Sequence, residues 1–247
     1  SPKKTLTMKI EDQYTLAKDT LHGRLFAPYQ REGVLWMLTM ESQTSGPKGG
    51  FLCDEMGLGK TVQIVSTMLG NPKGRTLIVV PKSIITQWVE EVSRFAPHLT
   101  ISVFDGPKRK IEDADVTLAP YSLLSTHEKS PLHMVQWDRV VLDEAHEIRN
   151  KKSKLFKSVC RLQTQIKWIV TGTPVFNSME DFVSLCTFLG LSKIVVQGMT
   201  QKVKDIYILR RTKEDLAKIN ERLRLPPCQF ENVELEMFPD EKQLYEI

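Results

Sequence analysis

Short apolar runs alternate along the chain with stretches in which apolar residues recur every third or fourth position. The runs fall at 51–53, 77–80, 116–119, 140–142 and 166–170, with a further strand pattern at 100–104. Most are apolar at consecutive positions, as suits strands covered on both faces in a parallel sheet. Between them lie helical patterns. Val34, Leu35 and Leu38 follow Pro28, which pre-sets a helix start. Val62, Val65 and Leu69, with Ile64 and Met68 beside them, run to the stop at Gly70, Asn71 and Pro72. Ile84, Ile85, Trp88, Val89 and Val92 run to Pro97, and residues 181–191 are amphipathic. Strands alternating with helices predict an α/β fold, mainly a parallel sheet with helices on both faces.

The ends of the chain carry less pattern. Leu6, Met8 and Ile10 alternate as one short edge strand within a polar flank, 1–22, while 42–50 reads as a loop and 192–204 has no clear period. Residues 207–213 lead into a last helix with Leu216, Ile219 and Leu223 on one face. Phe230, Val233, Leu235 and Met237 then suggest an extended segment over 229–247. One domain over 23–228 is expected.

At 247 residues and 41% hydrophobic content, the chain is long enough for one large core and too apolar for disorder. A net charge of +4 permits a nucleic-acid partner without requiring one. The distribution says more: Arg149, Lys151, Lys152, Lys154, Lys157, Arg161 and Lys167 fall in a stretch without acids. A solvated helix face would look the same. Cys53, Cys160, Cys186 and Cys228 form no metal-type pair, and a reduced, intracellular protein is expected. No apolar run is long enough to cross a bilayer and no targeting leader is visible, so no membrane partner is expected.

The candidate chemistry begins where the run 51–53 enters Asp54, Glu55, Met56, Gly57, Leu58, Gly59, Lys60 and Thr61, with a helical pattern directly behind. Strand, glycine turn and helix start in that order make a phosphate-binding loop. Glycines bare the backbone N–H groups, Lys60 supplies a cation and Thr61 a hydroxyl for Mg²⁺. The helix N-terminus adds its positive dipole end. Asp54 stands where the commonest form of this loop has its first glycine. The run 140–142 ends in Asp143 and Glu144, which a parallel sheet places at its carboxyl edge, where such sheets put their ligands. One carboxylate there can hold Mg²⁺, and its neighbour can orient or deprotonate an attacking water. Gln30 has an amide able to donate to and accept from the edge of adenine at once.

The ordered set of motifs resembles the Swi/Snf-type ATPases, double-stranded DNA translocases within helicase superfamily two. The residues that carry it are Pro28, Tyr29 and Gln30 with Gly33 and Trp36; 54–61; 77–81 with Trp88; Asp143, Glu144, Ala145 and His146 with Asn150; Thr171, Gly172, Thr173 and Pro174 with Asn177; and 209–213. In that family an Asp-Glu pair opens the loop. The resemblance implies a RecA-like P-loop domain using ATP and Mg²⁺. It assigns residues 54–61 and Gln30 to ATP, Thr61 and Asp143 to the metal, and catalysis to Lys60, Asp143 and Glu144. His146, Thr171, Gly172 and Thr173 would couple hydrolysis to motion. Lys82, Ser83, Tyr121, Arg149, Asn150, Lys151, Thr173 and Asn177 would grip duplex DNA through phosphates without reading sequence.

The resemblance also implies a second RecA-like lobe of the same protein as partner, supplying an arginine to the ATP site, so the chain is expected to be the first lobe alone. Two departures are visible. Val175 and Phe176 replace the usual aliphatic-plus-glutamine before Asn177, and 191–208 is too short for the helical protrusion of many remodellers, which favours a compact enzyme. Nuclear residence follows for a eukaryotic member, and cytoplasmic or viral residence otherwise. Protein partners are not indicated. The competing readings are a strand-separating or RNA-directed helicase lobe, and a nucleotide-binding interaction module without turnover.

Overall fold

A computed structural model describes residues 8–25, 27–125, 130–148, 150–172 and 178–218. Its sheet has seven strands: β1 (Lys48–Leu52), β2 (Thr76–Val80), β3 (Ile101–Val103), β4 (Val116–Pro120), β5 (Arg139–Asp143), β6 (Ile166–Val170) and β7 (Ile208–Leu209). They lie in the order β3-β4-β2-β5-β6-β1-β7, and every pairing is parallel. In a parallel sheet all carboxyl ends share one edge, so the segments leaving β1, β2, β4, β5, β6 and β7 meet there. Register fixes their level: Asp143 stands opposite Val170, which stands opposite Leu52. β2 and β4 are buried at every position, as their unbroken apolar runs require.

The helices are α1 (Ile10–Thr20), α2 (Pro28–Glu41), α3 (Lys60–Gly70), α4 (Ile85–Phe95), α5 (Ser122–Ser125), α6 (Lys154–Cys160), α7 (Met179–Leu189), α8 (Lys193–Gly198), α9 (Thr200–Tyr207) and α10 (Lys213–Ala217). The edge strand expected at Leu6, Met8 and Ile10 is corrected: Ile10 opens α1. Gln13, Ala17 and Leu21, four residues apart, make one buried stripe, and that longer period overrides the short alternation. Ala17 and Leu21 join the main core, so α1 packs on it. α1 sits so close to α3 that a Cβ on Gly70 would stand 2.6 Å from the Gln13 carbonyl oxygen.

At the amino edge of the sheet a buried polar cluster joins five elements. Glu41, at the end of α2, accepts from Arg139 Nε and Nη2, each at 2.6 Å, from Trp168 Nε1 at 2.8 Å and from Asn71 Nδ2 at 2.7 Å. Arg139 also donates to Thr76 Oγ1 and the Asn71 carbonyl. With both charges buried and their hydrogen bonds satisfied, the cluster ties α2, α3, β2, β5 and β6 together; deleting one partner leaves a buried charge unmet.

The chain divides at 212/213 into two compact units. The boundary expected at 228/229 lies outside the described residues. In the second unit the described structure is α10, and Ile219, Leu223 and the segment 229–247 lie outside the described residues.

Candidate active site

β1 ends at Leu52 and α3 starts at Lys60, so 53–59 must turn back within a few residues. Gly57 and Gly59 make the turn at φ 85° and 78°, a region that favours residues without a Cβ. Gly59 is also crowded: a Cβ there would lie 2.4 Å from Gln30 Nε2. Lys60 curls over the loop and donates to the Asp54 carbonyl at 2.9 Å. Thr61 is in the first turn of α3. Gly172, just past β6, closes against the same loop, since a Cβ on it would stand 2.6 Å from Met56 Cγ and 3.2 Å from Lys60 Nζ. Thr171 N–H donates to the Leu52 carbonyl at 3.2 Å, holding that approach.

Gln30 is buried with its amide N–H on the Leu58 carbonyl at 3.2 Å, and Tyr29 donates its hydroxyl to the same oxygen at 3.1 Å. The start of α2 therefore props the loop. Asp54 is fully buried, and its carboxylate accepts from Arg211 Nε at 2.9 Å, from Arg211 Nη2 and from Gln63 Nε2 at 3.1 Å. Its side chain is spent on this latch. Arg211 further donates to Gln63 Oε1 at 2.9 Å and to the Tyr29 carbonyl. Its own carbonyl accepts from Glu55 N–H at 2.9 Å, and the Leu209 carbonyl accepts from Cys53 N–H at 2.7 Å. Gly33 makes room: a Cβ there would overlap Gln63 Oε1 at 1.9 Å.

Asp143 ends β5 with both carboxylate oxygens engaged: Trp88 Nε1 donates to Oδ2 at 2.8 Å, and Glu144 N–H to Oδ1 at 3.0 Å. Burial pushes this carboxyl up to about 6; the Trp88 bond and the nearby Lys60 charge act against that push. Glu144 has φ 49°, the one positive value among non-glycine residues described, and such strain clusters where geometry serves chemistry. Its carboxylate lies 3.5 Å from His146 Nδ1. The Thr61 hydroxyl and the Asp143 carboxylate are hard oxygen donors of the kind Mg²⁺ takes, so the donor chemistry fits that ion. Among the described residues no cluster of three or more His, Cys, Asp or Glu forms a protein-only metal cage.

The residues expected to meet DNA separate into groups. Lys82 and Ser83 are exposed at the end of β2, and Asn150 is exposed past β5 with Lys151 half-buried. Lys82 pairs with Asp105 at 3.0 Å, which holds that carboxyl below its usual range. Tyr121 is corrected: it is buried, its hydroxyl donates to the Asp143 carbonyl at 2.8 Å, and it braces the strand end from within. Arg149, Thr173 and Asn177 lie outside the described residues. On α6, Lys154 and Lys157 are exposed while Phe156 and Val159 face the core. Lys167 leaves the basic set, because β6 carries it inward to donate to the Phe188 carbonyl at 2.8 Å.

The profile of the SNF2-related domain matches residues 29–198. The yeast (Saccharomyces cerevisiae) ISWI chromatin-remodeling complex ATPase ISW1 is 31% identical over 87% of this chain and 20% of its own length. The Schizosaccharomyces pombe ATP-dependent helicase rhp16 is 35% identical over 66% of this chain and 21% of its own. The Sulfolobus solfataricus SWI2/SNF2 ATPase core in complex with dsDNA superposes at a TM-score of 0.69 with 34% identity, covering 81% of this chain and 47% of that one. The chain thus spans about a fifth of these two curated relatives and about half of the solved core.

Proposed function

The chain belongs to the SNF2-related family, and from that premise we propose that it is the ATP-binding, RecA-like first lobe of an ATPase that moves along duplex DNA. The observation that carries this reading is the meeting at one sheet edge of the phosphate loop, Gly172 and the Asp143–Glu144 pair, with Lys60 close enough to Asp143 to favour its charged form. Backbone N–H groups of the loop and of the α3 N-terminus cradle the phosphates. Lys60 swings from the Asp54 carbonyl to the β- and γ-phosphates. Glu144 orients the attacking water and takes its proton, with His146 holding the carboxylate. Thr61 and Asp143 would hold Mg²⁺, which would supply charge neutralisation at the phosphates. Gln30, buried against Leu58 beside the loop, reads the adenine edge with its amide.

Lys82, Ser83, Asn150 and Lys151 stand at the same carboxyl edge and grip DNA phosphates, which gives binding without sequence readout. A second RecA-like lobe of the same protein completes the site. The similarity to the Sulfolobus core, which was solved in complex with duplex DNA, favours this reading over an RNA-directed helicase. The test uses the protein extended through its second lobe. Lys60→Ala is expected to weaken nucleotide binding, and Glu144→Gln to spare binding and stop hydrolysis. ATPase stimulation by duplex DNA, single strands and RNA is compared in the parent protein; stimulation by RNA alone overturns the proposal.

A further inference from the structure

Asp143 is held by contacts that come from the end of β2, and β2 ends in the exposed turn that carries Lys82 and Ser83. We propose that Trp88 is a positioning residue through which a duplex-DNA phosphate at the 82–84 turn sets the Asp143 carboxylate; this rests on the function proposed above.

The path is short and continuous. Ile85 N–H donates to the Lys82 carbonyl, so the turn is hydrogen-bonded directly to the first residue of α4. Trp88 lies in the first turn of α4, six residues from Lys82. Its ring is buried with Ile85 and Val92 on the inner face of the helix, so a shift of the turn moves the ring with it. The indole N–H ends on Asp143 Oδ2 at 2.8 Å.

A second strut makes the carboxylate the part that gives. Tyr121 is fixed at both ends: its N–H donates to the Val80 carbonyl at 3.1 Å and its hydroxyl to the Asp143 carbonyl at 2.8 Å. It pins the backbone of β5 to that of β2. With the backbone fixed, displacement of α4 acts on the Asp143 side chain. Asp143 Oδ1 in turn accepts from Glu144 N–H at 3.0 Å, the bond that supports Glu144 at φ 49°. Rotation of Asp143 withdraws that support, so one indole bond governs both the residue assigned to the metal and the residue assigned to the water. At the outer end, a phosphate competes with Asp105 for Lys82, whose ammonium lies 3.0 Å from that carboxylate.

The first test needs no turnover. Trp88→Phe identifies the Trp88 indole N–H signal in the ¹⁵N-labelled chain, and a short duplex is then added at low salt without nucleotide. The Trp88 signal is expected to shift. Those of Trp137 and Trp168, which donate to Leu132 and to Glu41, are expected to stay. Duplex binding, read by fluorescence polarisation, with no movement at Trp88 overturns the inference and leaves the DNA reading intact. No binding at all overturns the DNA reading and the inference with it.

The second test uses the two-lobed protein. Trp88→Phe keeps the apolar ring and removes the N–H, and residues that orient a metal ligand change affinity or activity about 10- to 100-fold when lost. The ratio of DNA-stimulated to basal hydrolysis is expected to fall at least about tenfold, with a rise in the Mg²⁺ needed for half-maximal rate. Equal loss of basal and stimulated rates, with that Mg²⁺ requirement unchanged, marks a merely structural role and overturns the inference.

Discussion

A carboxylate with no exposed surface must meet its counter-charge inside the protein, and Asp54 meets it in Arg211 across 157 positions of sequence. Breaking one side of such a pair costs about 3–5 kcal/mol, because the survivor stays buried without compensation. Arg211→Ala is therefore expected to lower stability by about that amount, and the Asp54→Leu/Arg211→Met pair by less than the sum of its single changes. Urea unfolding of the four proteins in the cycle checks it. Arg211→Lys should not rescue, since the fork that reaches Asp54 through Nε and Nη2 has no counterpart on an ammonium. His133 supplies a pH test. Burial lowers its pKa, the Ser158 carbonyl that its Nε2 meets at 3.0 Å acting against this. The folded state thus binds the proton less readily than the unfolded chain. Stability from this site is present above the unfolded value near 6.5 and is lost as pH falls toward the lower folded value. Melting temperature is expected to drop between about pH 7.5 and 5.5, and His133→Gln to flatten part of that drop.

At the scale of elements, periodicity decides what can be read from the chain. Six of the strands and the helices α2, α3, α4 and α7 coincide with apolar patterns long enough to name their own geometry. The phosphate loop and the Asp143–Glu144 pair are legible because consecutive residues build each of them. α1 is not: its stripe at Gln13, Ala17 and Leu21 includes a glutamine, and a shorter alternation lies over its start. β7 has only two residues, too few for any period. Contacts between distant side chains, such as Trp88 with Asp143 or Tyr121 with the Asp143 carbonyl, leave no spacing to read, which is why the family resemblance alone puts Tyr121 on the DNA surface. The docking of α1 has its own test. Gly70→Ala puts a methyl group 2.6 Å from the Gln13 carbonyl oxygen and 3.1 Å from Ala17 Cβ, and a backbone atom cannot swing aside. Overpacking of this kind costs about 1–3 kcal/mol. Hydrogen exchange across α1 is expected to quicken more than exchange in β2 or β5.

For the molecule as a whole, the two edges of the sheet divide the labour. The amino edge carries the closed Glu41–Arg139 cluster, and the carboxyl edge carries the residues assigned to ATP and DNA. A lobe built this way binds phosphate from one side, leaving the γ-phosphate to be met from the other. Phosphoryl transfer builds charge on the γ-phosphate oxygens, and an arginine delivered from a second element contributes roughly 10³ to 10⁵ in rate where one is used. Arg211, although it lies against the loop, does not supply it, because Asp54, Gln63 and Tyr29 hold its guanidinium. The chain alone is therefore expected to bind nucleotide weakly and to turn it over very slowly, with modest DNA binding that weakens as salt rises. Extension through the second lobe is expected to raise DNA-stimulated hydrolysis by at least about 10³, measured side by side at saturating duplex. Equal rates from the two proteins would mean that a residue within these 247 supplies the missing charge, and the two-lobe reading would fall.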